Sequence, residues 1–182
     1  MDENPVITTD RLTLRRFTLD DADFLFDLFS RPEVARWSGS GTPMERREEA
    51  VERIRRQPER AGDHPACGVF AVEANGQLVG MALLVPIPAS AGRTSEGEIE
   101  IGWHFHPDAW GNGYATEAGR ALVERGFAAG FPALYAVTDS DNVRSQAVCR
   151  RLGMTDLGLR DDWYDRSLRA FRLDRQEIAA DQ

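Results

Sequence analysis

The segment Trp110-Gly111-Asn112-Gly113-Tyr114-Ala115-Thr116 lies between an alternating apolar run that ends near Phe105 and a helical periodicity that starts near Thr116. Glycines at 111 and 113 strip side chains from closely spaced amides. A chain that turns into a helix there presents unpaired N–H groups and the positive end of the helix dipole, which together suit an anion such as a pyrophosphate. Ala115 is small enough to let a ligand or a neighbouring strand approach. The same glycines also fit a tight strand-to-helix turn in which they serve geometry alone. Two familiar phosphate loops do not match: a dinucleotide fingerprint needs a third glycine where Thr116 stands, and a Walker loop needs a lysine that the region lacks.

Working upstream, Glu98-Ile99-Glu100-Ile101-Gly102-Trp103 alternates at period 2, with Ile99, Ile101 and Trp103 on one face and both glutamates on the other. Gly68 to Ala74 and Gln77 to Pro86 flank Asn75-Gly76, a pair that tolerates the positive φ angles of a tight hairpin. Ile87 to Gly97 reads as a surface loop. Arg11 to Arg15 reads as a first strand with Leu12 and Leu14 inward. A helix follows, with a Thr18–Asp21 capping box and a buried stripe of Leu25, Leu28 and Phe29, and it stops at Arg31-Pro32. A second, peripheral helix with a thin apolar face is expected to start at Thr42-Pro43, capped by Thr42. Downstream, the helix from Thr116 ends at Gly130, Leu134 to Val137 suits a central strand, and Val143 to Leu152 is a helix closed by Gly153. Strand-like pieces at Met154 to Leu157 and Leu168 to Leu173 bracket an exposed loop, Asp161 to Asp165, and residues 176–182 read as a tail. The order predicts a mixed α/β arrangement, one layer of sheet with helices packed on it.

The chain has 182 residues, 42% of them hydrophobic, enough for one domain that buries roughly 70% of its unfolded surface. Arginine plus lysine number 22 against 30 acids, a formal charge of −8 that argues against phosphate-backbone binding to nucleic acid and mildly favours cationic or amine partners. Cys67 and Cys149 lack CxxC spacing, so neither a disulfide framework nor a zinc knuckle is expected. His104 and His106 share a strand face and His106-Pro107-Asp108 has the H-x-D spacing of a two-His-one-carboxylate site, but the only other histidine, His64, lies in a loop without defined geometry; packing for His104 and a turn for His106 are preferred, and no metal is expected. The opening residues carry no apolar signal region and no run approaches a membrane span, so a cytoplasmic protein is expected, with no membrane partner. Exposed strand edges make a homodimer a reasonable expectation.

The motifs together are more specific than the glycine loop alone. Glu100-Ile101-Gly102-Trp103, then Trp110 to Ala118, then Asn142-Val143-Arg144-Ser145 and Leu152-Gly153-Met154 resemble the GCN5-related N-acetyltransferases (GNAT). Within them the chain is most similar to the group that acetylates ribosomal-protein N-termini, which Asp10 to Arg15 and Asp20-Asp21-Ala22 also resemble. The likeness covers residues 9 to 174, and it implies a single-domain α/β fold: a mixed, mostly antiparallel sheet with a splayed pair of parallel strands and helices on both faces. It implies acetyl-coenzyme A in the splay between Ile99–Phe105 and Leu134–Val137. The pantetheine arm would pair with backbone around Trp103, His104 and Phe105, and the pyrophosphate would meet the loop from Trp110 through the amides of Gly111, Gly113, Tyr114, Ala115 and Thr116. Family loops often begin with Gln or Arg, so Trp110 removes a side-chain contact to phosphate.

Acetyl transfer to an amine needs a proton acceptor, stabilisation of the developing oxyanion and an exit for the thiolate. Glu98 and Glu100, about 6.6 Å apart on one strand face, are the candidate bases, and Glu100 is preferred because it opens the family-like motif. The pair equally fits a solvated strand edge. Asn142 is a helix cap or a cofactor clamp, and by the resemblance Ser145 donates to the departing thiolate. One of Arg144, Arg150 and Arg151 is expected to meet a coenzyme A phosphate. Trp37, Trp163 and Tyr164 are candidates to line an acceptor pocket, and Asp161, Asp162 and Asp165 would suit a cationic acceptor. The preferred acceptor is a protein or peptide N-terminal amine. The alternatives are a small-molecule amine and a non-catalytic acyl-coenzyme A binding module.

Overall fold

A computed structural model describes residues 6–175. Eight strands form one sheet in the order β1-β2-β3-β4-β5-β6-β8-β7. The strands are β1 (Ile7–Thr8), β2 (Leu12–Arg16), β3 (Gly68–Ala74), β4 (Gln77–Pro86), β5 (Ile99–Phe105), β6 (Ala133–Thr138), β7 (Thr155–Arg160) and β8 (Leu168–Asp174). All neighbours pair antiparallel except β5 and β6. The mixed, mostly antiparallel sheet is as expected. The expected tail, 176–182, lies outside the described residues.

Each face of the sheet carries helices because strand alternation sends apolar side chains both ways. On one face, α5 (Tyr114–Ala128) and α6 (Val143–Arg151) cover a core that includes Leu12, Phe70, Ile101, Leu122 and Leu134. On the other, α1 (Ala22–Ser30), the short α2 (Pro32–Ala35) and α3 (Arg47–Arg55) bury Leu25, Leu28, Phe29 and Ile54 against Val69, Met81 and Val85. α4 (Gln57–Ala61) continues from α3. The alternation in β5 holds: Ile99, Ile101, Trp103 and Phe105 belong to the α5 side, which turns Glu100, Gly102 and His104 toward the α1–α4 side.

The capping box at Thr18 and Asp21 forms, and Asp21 also takes both Nη atoms of Arg15 at 2.7 and 2.9 Å. Asn75 and Gly76 hold φ angles of 52° and 73° in the β3–β4 turn. The second helix departs from expectation. It starts at Arg47, not after Thr42, because the Glu49 carboxylate accepts the amides of Glu45 and Arg46 at 3.1 and 3.0 Å and closes the N-terminus there. The Asp161–Asp165 loop is not free. Trp163 is buried with Ile87 and Ala170 and bridges to Ala89, and Asp165 accepts the Ala91 amide at 2.7 Å.

Candidate active site

β5 and β6 share one registered pair, Glu100 with Tyr135, and part beyond it. The parting opens a cleft of about 1490 Å³ whose walls include Gly102 to Phe105, Ala136 to Asp139, the 110–116 loop and the start of α6. This is the splay that the family resemblance implied.

The loop reaches its shape through Gly111 and Gly113, whose φ angles of 82° and 79° favour glycine. α5 starts directly after, at Tyr114, two residues sooner than its periodicity suggested. The first bond at that end runs from the Glu117 amide to the Gly113 carbonyl, so among the described residues the amides of Gly111 to Thr116 donate to no protein acceptor. A Cβ at Gly111 would meet nothing within 4 Å, so the space above the amides is open. A row of bare amides at the N-terminus of a four-turn helix fits a diphosphate.

Trp110 compensates for the cation missing at its position. Its indole N–H donates to the Phe105 carbonyl at 2.8 Å, and the Arg144 guanidinium stacks 4.6 Å from its ring centroid. α6 thereby returns a positive charge to the loop. Arg151 also lines the cleft, whereas Arg150 turns away to Asp156 and the Phe171 ring. The loop is braced from behind by Arg11, which donates to the Asn112 carbonyl at 2.9 Å and to Glu117 at 2.7 Å.

Glu100 is only 8% exposed and lines the cleft. Burial pushes its carboxyl above the ordinary carboxylate range, and hydrogen bonds from Tyr164 and Arg60 partly oppose that. Both contacts fall on Oε2, the Arg60 one at 3.3 Å. Oε1 has no partner among the described residues. Tyr164 holds a φ of 61°, the backbone conformation that aims its phenol inward from the loop.

Glu98 does not join it. The strand starts at Ile99, and the Glu98 carboxylate folds onto its own turn, accepting from Ser95 Oγ at 3.0 Å and the Glu96 amide at 2.9 Å. Asn142 and Ser145 both line the cleft. Asn142 is the α6 cap, its Oδ1 accepting the Ser145 amide at 3.2 Å, and the Ser145 hydroxyl is left without a protein partner among the described residues. Trp103 and His104 line the same opening. Burial, with help from Arg53, lowers the His104 pKa to about 3, so its ring is neutral, packed edge-on to Phe29. Cys149 is buried, its thiol pushed up to about 12, which leaves no thiolate for covalent acyl transfer.

A family model described as an acetyltransferase (GNAT) domain matches residues 11–155. The chain belongs to the GNAT acetyltransferases. This acetyltransferase is 32% identical over 159 residues to an uncharacterized N-acetyltransferase, YoaA, of Bacillus subtilis, with 85% of each chain covered. Its fold is similar to that of AAC(6')-Ib, solved with ribostamycin and coenzyme A, at a TM-score of 0.78 and 20% identity, over 95% of this chain and 98% of that one. It is also similar to RimL, a ribosomal L7/L12 α-N-protein acetyltransferase solved with coenzyme A, at a TM-score of 0.75 and 15% identity, over 93% and 98%. Those likenesses establish the fold and do not single out the ribosomal-protein group. Among the described residues, no helix of this GNAT chain is long and apolar enough to cross a membrane.

Of the acceptor-side candidates, Trp37 and Tyr164 line the cleft and Trp163 does not. Asp161, Asp162 and Asp165 are absent from its lining because they hold their own loop: Arg93 pairs with Asp161 at 2.6 Å and Arg160 with Asp162 at 2.7 Å. The sequence reading missed Arg53 and Arg60. Ala50, Arg53, Ile54 and Gln57 stand at i, i+3, i+4 and i+7, so an arginine on the helix's inward stripe was the available signal.

Proposed function

We propose that this acetyltransferase moves an acetyl group from acetyl-coenzyme A to a small-molecule primary amine by direct attack, and that Glu100 is its base. The carrying observation is the buried carboxylate with one oxygen held by Tyr164 and Arg60 and the other bare toward the cleft. When bound, acetyl-coenzyme A supplies an activated acetyl group as a thioester. The amides of Gly111, Gly113, Tyr114, Ala115 and Thr116 hold its diphosphate, with Arg144 beside them. Glu100 Oε1 accepts the proton that the acceptor nitrogen sheds, directly or through one water. The Ser145 hydroxyl donates to the departing sulfur.

A small acceptor is favoured over a protein N-terminus by what narrows the far end of the cleft. Arg53, Arg60 and Leu83 line both the main cleft and a smaller cavity between α3, α4 and β4, so they form a constriction where the two adjoin. Arg60 is fixed there by the Pro86 carbonyl, Glu100 and the Tyr164 hydroxyl. The likeness to an enzyme solved with ribostamycin is in keeping with a small acceptor.

Thiol release is to be followed with a panel of small amines and peptides. Glu100→Gln is expected to lower kcat on the order of 100-fold while leaving the coenzyme A dissociation constant within about twofold. Undiminished turnover in a folded Glu100→Gln protein would remove the carboxylate from the chemistry.

A further inference from the structure

Arg53 sits on the inward side of α3 with its guanidinium 3.9 Å from the Phe29 ring centroid. It makes no hydrogen bond or ion pair with any described residue. None of the acids nearby pairs with it: Glu49 closes the α3 N-terminus, Glu59 pairs with Arg56 at 3.6 Å, Glu100 is held by Arg60 and Tyr164, and Glu33, Glu48 and Glu52 form no ion pair with Arg53. Burial lowers the Arg53 pKa to about 10, so the group stays charged at neutral pH, and its field helps to keep His104 neutral. One turn further along, the Gln57 Nε2 is buried with no hydrogen-bond partner. Arg53 and Gln57 line the same cavity of about 1010 Å³, and Arg53 also faces the main cleft.

A desolvated cation and an orphaned donor on one helix face are each costly, and one anion would satisfy both. We propose that the acceptor bears an anionic group, a carboxylate or a phosphate, which docks between the Arg53 guanidinium and the Gln57 amide while its amine faces Glu100. The proposal rests on the acetyl-transfer reading of the cleft and names its substrate class. Gln57 is three residues from Arg60, about 5 Å along the helix, and Arg60 holds Glu100, so the anion site stands a short span from the base. Amine and anion therefore stand several bonds apart, as in an ω-amino acid, a dipeptide or an aminoalkyl phosphate.

The test compares matched pairs: 5-aminopentanoate with 5-aminopentanamide, glycylglycine with its amide, and 4-aminobutyl phosphate with 4-aminobutanol, with kanamycin as a polycation. The anionic members are expected to exceed their neutral partners in kcat/KM by about ten- to hundred-fold. Arg53→Gln is expected to erase that ratio, and a cooperative melting transition reports that the variant folds. Gln57→Glu, which gives Arg53 an internal partner, is expected to erase it too, with Arg53 intact. Equal or better turnover of neutral amines or kanamycin by the unaltered enzyme, or an anion preference that survives Arg53→Gln, overturns the proposal. If no amine in the panel is acetylated, the transfer reading fails. Calorimetry of the N-acetylated compounds with coenzyme A present then decides the anion site alone: tighter binding of the acids, lost in Arg53→Gln, sustains it, and equal binding of acids and amides refutes it.

Discussion

The Tyr164 hydroxyl, donated to Glu100, ties catalysis to pH through a single proton. Burial raises the Glu100 pKa and the Tyr164 and Arg60 contacts lower it. If the carboxylate is the base, kcat/KM falls as pH drops through the folded pKa, on an acid limb above the ordinary carboxylate value. Removing the phenol takes away one group that favours the charged form, so Tyr164→Phe is expected to move that limb to higher pH. A pH–rate profile of the two proteins checks it, and a limb that stays in place or moves down argues that Glu100 is not the titrating group. Very little of this was legible in the sequence. Glu100 stood out through its strand motif and Tyr164 as an aromatic candidate for the acceptor pocket, but the contact between them spans 64 positions and nothing local announces it. The acids instead pair with Arg160, two residues from Asp162, and with Arg93, 68 positions from Asp161, and the second of these no local pattern announces.

At the level of elements, the β5–loop–α5 unit depends on a brace as well as on glycine. Arg11 joins the Asn112 carbonyl, Glu117 and the face of Tyr114, and Thr9 adds its hydroxyl to the same glutamate at 2.6 Å. Arg11→Ala is expected to raise the KM for acetyl-coenzyme A several-fold with kcat nearly unchanged. Because the Arg11 side chain is half exposed, the accompanying stability loss is about 1 kcal/mol or less, readable by urea denaturation. A normal KM would show that the loop holds its shape unaided. The sequence revealed the hairpin, the capping box, the glycine loop and both helices of the cleft, all features with short-range chemistry. It placed the start of α3 too early because Thr42-Pro43 is a respectable local cap, and a second local cap, Glu49 on the Glu45 and Arg46 amides, closes the helix instead. Glu98 failed for a related reason: periodicity continues one residue past the strand, but the turn at Gly97, with φ of 86°, takes that side chain back.

For the whole molecule, a formal charge of −8 misleads about the site. All 22 basic residues are arginines, and Arg36, Arg53, Arg60, Arg144 and Arg151 face the cleft. An acidic exterior around an opening lined by these arginines suits an anionic ligand at that one place, while the net charge still favours amine partners at long range. The strand edges that invited a dimer are blunted: β1 has two residues, and β7 is irregular between Asp156 and Gly158 and ends at Arg160. Coenzyme A is expected to raise the melting temperature in a concentration-dependent way and to slow hydrogen exchange of the amides from 111 to 116, measured by mass spectrometry. Slowing elsewhere but not there would place the diphosphate off the loop. The lone rung between β5 and β6 makes the sheet a panel sawn almost through along one seam. Under heat or pulling force that seam is expected to give way early, and a long ligand laid along it to stand in for the absent rungs, so that the protein is sturdier loaded than empty.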